Sequence, residues 1–182
     1  VFYRARRMID AGQNVVELTI GEHDIRTHPD ILAAMDRAAV SGRTGYAEVP
    51  GSFALRDSVA ARIAARTGVA TTRDNILITP GGQSALFAAH SAVCDEGDTA
   101  LYIDPYYATY PGTIRGIGAR PVAIQAHAAN NFQPKATDIA AVAKGATSLL
   151  INSPNNPTGV IYSAETLADI AGVCIQNDLW LI

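Results

Sequence analysis

Residues 99–124 decide the fold. They read Thr99-Ala100-Leu101-Tyr102-Ile103, then Asp104-Pro105-Tyr106, a segment from Tyr107 to Gly116, and finally Arg120-Pro121-Val122-Ala123-Ile124. The first and last runs are short, apolar and rich in β-formers, and both are bounded by turn residues, so each reads as a strand. The segment between them, Tyr107–Gly116, reads as a helix. Strand, crossover helix, strand is the unit from which parallel sheets covered on both faces are built, and its crossover is right-handed. The same rhythm extends to either side. A strand at Asn75–Thr79 and a helix at Gln83–Cys94 come before it. After it come a helix at Thr137–Ala143, a strand at Thr147–Ile151, a helix at Ala164–Gln176 and a strand at Asp178–Ile182. The expectation is an α/β fold, a mostly parallel sheet with helices on both faces.

Upstream of Thr72 the pattern is more helical. Phe2–Ala11 is a short amphipathic helix stopped by Gly12, and Asn14–Ile20 reads as a strand. Pro29–Val40 places Ile31, Met35 and Ala39 at four-residue spacing, and Gly51–Thr67 carries a Leu55, Val59, Ile63 stripe with Gly68 as its C-cap. No internal repeat or low-complexity segment interrupts the chain.

Composition narrows the function. A chain of 182 residues can bury a core without disulfides or metals. Fourteen Lys plus Arg against 17 Asp plus Glu give a net charge of −3, with a sequence pI of about 5.7. Such a balance offers no footprint for nucleic acid, and the one basic cluster is Arg4, Arg6 and Arg7. No apolar run approaches the length of a membrane span, and the first residues lack the apolar core of a signal peptide. Cys94 and Cys174 lie in apolar, helix-like stretches. They read as buried thiols in a reducing compartment, which points to the cytoplasm. Neither has a neighbour at metal-ligand spacing, so no metal site is expected.

Three segments, each directly after a strand, can carry chemistry. In Ile78-Thr79-Pro80-Gly81-Gly82-Gln83-Ser84 two glycines open a helix, where free N–H groups and the dipole favour an anion such as phosphate. The alternative is a tight strand–helix turn capped by Ser84. The segment lacks both the P-loop and the G-x-G-x-x-G pattern, which weakens a nucleotide-binding reading. In Asp104-Pro105-Tyr106-Tyr107-Ala108-Thr109-Tyr110, Tyr106 and Tyr110 share one helical face and serve packing, while Tyr107 points elsewhere and offers a flat ring for stacking. In Ile151-Asn152-Ser153-Pro154-Asn155-Asn156-Pro157-Thr158-Gly159, prolines and glycine fix a rigid path that can aim an amide at a ligand. Asn155 fits an Asx turn.

Together with Gly21-Glu22-His23-Asp24, Gly45-Tyr46, Gly51 and Leu55-Arg56, these segments resemble the aminotransferase class I/II family, pyridoxal-phosphate enzymes of fold type I, over essentially the whole chain. The resemblance implies an amino-group transfer between an amino acid and a 2-oxo acid through pyridoxal 5'-phosphate. Gly21 matches the backbone that meets the substrate carboxylate. Tyr46 matches the tyrosine that reaches the cofactor phosphate of the neighbouring subunit, implying a homodimer. Gly81, Gly82 and Gln83 match the phosphate turn, Tyr107 the ring that stacks on the pyridine, and Asn156 the amide on the ring's 3-oxygen, with Asn152 lining the same pocket. His23 stands where a proline is common, Gln83 where many relatives have Lys or Ser, and His23, His28, His90 and His127 match no catalytic position. His90, inside an apolar helix, reads as a packed or surface histidine.

The resemblance also implies what the chain lacks. Its lysines are Lys135 and Lys144, and neither falls where the Schiff-base lysine belongs. That lysine and the acid for the pyridine nitrogen are expected beyond Ile182. The chain then reads as an N-terminal portion, inactive by itself. Residues 1–40 form an arm and small-domain segment, and residues 41–182 an incomplete cofactor-binding large domain. The rival readings are a carbon–sulfur lyase on the same fold and a non-catalytic ligand-sensing domain of aminotransferase-like shape.

Overall fold

The computed structural model describes residues 1–18, 21 and 23–182, and the chain divides into two compact units, Val1–Ala47 and Glu48–Ile182. The first unit holds helices α1 (Phe2–Asp10) and α2 (Pro29–Val40). Helix α2 starts where Pro29 fixes the first helical φ and the ring Nδ1 of His28 accepts from the Asp30 N–H at 3.2 Å. The apolar stripe of α2 is open, with Ile31 and Met35 both exposed. Of the expected strand Asn14–Ile20, residues 14–18 adopt no regular structure, and Thr19 and Ile20 lie outside the described residues, as does Glu22.

The second unit begins with α3 (Phe53–Thr67), closed by Gly68 in the left-handed conformation at φ 72°. Then follow α4 (Gly82–Val93), β1 (Thr99–Asp104), α5 (Tyr110–Gly116), β2 (Arg120–Gln125), α6 (Ala136–Ala143), β3 (Ser148–Leu150), α7 (Ala164–Asn177) and β4 (Trp180–Leu181). Among the described residues the sheet has the order β2-β1-β3-β4 and every pairing is parallel. Alternation along the strands divides the core in two. Leu101 and Ile103 of β1 and Leu149 of β3 pack with Ile139, Ala143, Ile170 and Cys174 of α6 and α7. Ala100 and Tyr102 of β1 and Leu150 of β3 pack with Tyr110 and Ile114 of α5 and Cys94 at the end of α4. Both cysteines are buried free thiols, and burial pushes the Cys174 thiol up. No helix among the described residues is long and apolar enough to cross a membrane.

Two expectations need correction. The segment Asn75–Thr79 is not a strand of this sheet. Arg73–Asn75 forms a 3₁₀ turn under a Thr72–Asn75 capping box. Beyond it the backbone bonds elsewhere: the Ile76 carbonyl accepts from Arg56 and the Ile78 N–H donates to the Pro50 carbonyl at 2.9 Å. The helix expected from Tyr107 begins only at Tyr110, because Pro111 suits its first turn and the residues before it form a separate turn, closed by the Tyr110 N–H on the Tyr107 carbonyl at 3.0 Å. Tyr106 and Tyr110 therefore share no helical face. They still join one cluster, Tyr110 as a buried member and Tyr106 packed edge-on against Tyr102 at 4.9 Å between ring centres.

Candidate active site

The chain leaves β1 for β2 on one side, then returns to β3 on the other. In an open parallel sheet such a reversal opens a crevice at the carboxyl ends of the two central strands, and ligands bind there. The loops that meet at this edge are Pro105–Thr109 after β1 and Ile151–Tyr162 after β3. The peptide bonds before Pro105, Pro154 and Pro157 are cis.

One buried residue clasps the two loops. Asn155 donates from Nδ2 to the Pro105 carbonyl at 3.2 Å, and its Oδ1 accepts from the Thr158 N–H at 3.2 Å and the Thr158 hydroxyl at 2.7 Å. Asn156 beside it is exposed. Its backbone N–H donates to Asn152 Oδ1 at 2.9 Å, and its own carboxamide makes no hydrogen bond among the described residues. Tyr162 closes the loop, its N–H donating to Ser153 Oγ at 2.9 Å. Burial, with a smaller contribution from Tyr110, pushes its phenol up to about 12, so it stays protonated at neutral pH.

Helix α4 supplies the anion-friendly wall. Gly81 precedes it at φ 89° and provides no side-chain cap. The N–H groups of Gly82, Gln83 and Ser84 find no acceptor among the described residues. A Cβ built on Gly81 or Gly82 would meet nothing within 4 Å, so the approach to these donors is open. A cleft of about 580 Å³ is lined by Gly82, Gln83, Ala85, Leu86, Ala89, Tyr107, Tyr110 and Ile182. Uncapped helix donors thus face an aromatic wall, which suits a flat molecule bearing a phosphate. The residues present fit pyridoxal phosphate on these grounds.

The sequence-predicted site residues are distributed as follows. Gly82, Gln83 and Tyr107 line this one cleft. Gly81 caps its helix, and Asn152 and Asn156 sit on the neighbouring β3 loop without lining the cleft. Gly21 and Tyr46 belong to the first unit, where both are exposed. Of the lysines, Lys135 lines a separate polar cleft with Asn130, Gln133 and Glu165, and Lys144 caps the far end of α6. Of the two readings of His90, packed or surface, the structure has the packed one: it is wholly buried, neither ring nitrogen has a partner among the described residues, and burial lowers its pKa.

Sequence reasoning missed the residues that hold the site in place. Asn155 makes the local side-chain bonds to Thr158 that its turn implies, but its Nδ2 also makes a contact 50 residues away. Arg56 sits on a helix yet is buried, its guanidinium donating to the Arg73 carbonyl at 2.6 Å and the Ile76 carbonyl at 3.0 Å. This pins α3 to the segment that leads into Gly81. Gly51 lies against the same segment, and a Cβ there would fall 2.6 Å from Ile78 Cγ1. The Gly51 and Leu55-Arg56 spacing was the available signal, but it carried no direction of contact.

Comparison with known proteins agrees with this architecture. The family model "Aminotransferase class I and II" matches residues 13–182. A probable aspartate/prephenate aminotransferase of Thermus aquaticus is 34% identical over 98% of this chain and 47% of its own length. An arginine–pyruvate transaminase of Pseudomonas aeruginosa is 32% identical over 100% of this chain and again 47% of its own. The structure of the Thermus thermophilus aspartate aminotransferase with maleate superposes with a TM-score of 0.94 at 31% identity, covering 99% of this chain and 47% of that one. The chain therefore spans about half the length of the curated relatives it matches. Its sheet and helices are those of fold type I, and the chain belongs to the class I and II aminotransferase family.

Proposed function

We propose that the full-length protein is a cytoplasmic, homodimeric, pyridoxal-phosphate-dependent aminotransferase that moves an amino group between an amino acid and a 2-oxo acid. The observation that carries this reading is the open, uncapped start of α4 facing Tyr107 across one cleft at the sheet's reversal. The backbone N–H groups that follow Gly81 hold the phosphate, as unpaired helix donors do. Tyr107, 43% exposed, lays its ring against the pyridine. Asn156 donates from its free carboxamide to the ring's 3-oxygen and favours the deprotonated form of that oxygen, while Asn152 holds the Asn156 backbone from behind. When bound, pyridoxal phosphate supplies an electron sink for bonds broken at the substrate's α-carbon.

Gly21 offers its backbone to the substrate carboxylate. Tyr46, whose side chain is fully exposed, reaches the phosphate held by a second copy. Residues 1–40 belong to the arm and small domain, and residues 41–182 to the large domain. Neither lysine of this chain lines the cleft, so the proton-moving lysine and the acid that holds the pyridine nitrogen belong to the remainder of the full-length protein. The test is to titrate the purified full-length protein with pyridoxal phosphate, then offer a panel of amino acids and follow 2-oxo acid release. Saturable binding and donor-dependent release are expected. A protein that does not take up the cofactor overturns the reading.

A further inference from the structure

We infer that Gln83 is a positioning residue whose side-chain amide joins the anion-accepting start of α4 to the turn that carries Tyr107, so that phosphate and ring contacts are held as one unit. The inference rests on the reading of this cleft as a pyridoxal-phosphate pocket. Gly81 contributes no capping side chain, and the bonds that shape the turn locally, Gly81 N–H to the Thr79 carbonyl at 2.8 Å and Thr79 Oγ1 to the Gly81 carbonyl at 3.0 Å, do not reach the turn that carries Tyr107. That link comes from a distance. Gln83 Nε2 donates to the hydroxyl of Thr113, 30 residues along the chain on α5. Thr113 is buried, and its own proton is committed to the Thr109 carbonyl at 3.0 Å, so its oxygen is oriented to accept. Thr109 lies in the turn closed by the Tyr110 N–H on the Tyr107 carbonyl at 3.0 Å. A one-way chain of donors thus runs from the second residue of α4 to the turn bearing the stacking ring. With its amide so engaged, Gln83 meets the phosphate through its backbone N–H.

The experiment uses the full-length protein with pyridoxal phosphate and, separately, phosphate-free pyridoxal. Gln83→Met and Thr113→Val remove the donor and the acceptor with little change of shape, and Thr113→Ser restores the hydroxyl. Each of the first two is expected to weaken pyridoxal phosphate about tenfold, the scale of one hydrogen bond, and the double variant no further than either alone. The circular dichroism of the bound cofactor should shrink in both and return in Thr113→Ser, while pyridoxal affinity shifts less than about threefold because it lacks the anion. If Gln83→Met fails to fold, the Thr113→Val and Thr113→Ser pair carries the same comparison. Effects that multiply in the double variant, or an unchanged dichroism, overturn the inference while leaving the pocket intact. Wild-type protein that binds no pyridoxal phosphate overturns the underlying reading and the inference with it.

Discussion

Adjacent asparagines in the β3 loop should separate stability from binding. Asn155 makes three hydrogen bonds from a buried side chain, one across to the Pro105 carbonyl and two to Thr158. Asn155→Ala leaves that carbonyl and the Thr158 N–H without partners. At roughly 1 kcal/mol for each bond lost, and more where a buried group stays unsatisfied, the expected loss is about 2–4 kcal/mol. Asn156→Ala removes an exposed carboxamide with no partner among the described residues, so its effect on folding should stay within about 0.5 kcal/mol. In the full-length protein, however, it should weaken pyridoxal phosphate by about 1.5–3 kcal/mol, the worth of a bond to a charged oxygen. Urea unfolding gives the first pair of numbers and cofactor titration the second. If Asn156→Ala destabilises as much as Asn155→Ala, or if its cofactor affinity is unchanged, the division of labour between the two residues is wrong.

Three further outcomes concern Arg56, Gly51 and His90. Arg56→Met should cost on the order of 2–4 kcal/mol, because the Arg73 and Ile76 carbonyls lose a charged donor, whereas Asp74→Asn, on an exposed carboxylate 3.5 Å from Arg56, should cost under about 1 kcal/mol in the same urea assay. Gly51→Ala combines φ +101° with a Cβ driven onto Ile78, so its melting point should fall well below that of Gly68→Ala, which sits at φ +72° in open space and carries only about 1–2 kcal/mol of left-handed strain. His90 has a folded pKa lowered by burial, so the folded state resists the proton while the unfolded state takes it up near the ordinary value of 6.5. Its contribution is flat above that pH, and stability falls by up to about 1.4 kcal/mol per pH unit below it, until the folded pKa is reached. His90→Leu should flatten that part of the profile, and parallel profiles for the two proteins would contradict the assignment.

What could be read from the sequence follows the range of the interaction. Pro29, Gly68 and the apolar runs of β1 and β2 act on their own neighbours, and the helix limits at Pro29, Val40 and Thr67 appear where those residues put them. The start of α5 lies three residues later than expected because only Pro111, which suits a first helical turn, marks where the helix begins in a segment otherwise poor in helix formers. Asn75–Thr79 has a strand's residues, but a strand is defined by its partner, and here Arg56 and Pro50 take its backbone bonds. In the site, Tyr107 is legible because it follows the end of β1, and the glycine turn because adjacent glycines open an apolar helix. The supporting contacts of Asn155, Thr113 and Arg56 join positions 17 to 50 residues apart, and no local pattern records such a pairing.

The reversal of strand order also bears on when the cleft comes into being during synthesis. Thr99 pairs with Arg120, a separation of 21 residues, while Ala100 pairs with Ser148 across 48. Closing the longer loop costs only about 0.7 kcal/mol more, so entropy hardly forbids it, but the ribosome imposes an order that entropy does not. The parallel β1–α5–β2 crossover unit, carrying Tyr107 and Thr113, can close as soon as Gln125 has emerged. The clasp from Asn155 to Pro105 must wait for some thirty residues more, about two to six seconds at ordinary elongation rates. During that interval the stacking ring and the α4 donors stand without the neighbouring β3 loop, and a cofactor that met the nascent chain then would find the anion site before the loop that carries Asn156 was clasped in place.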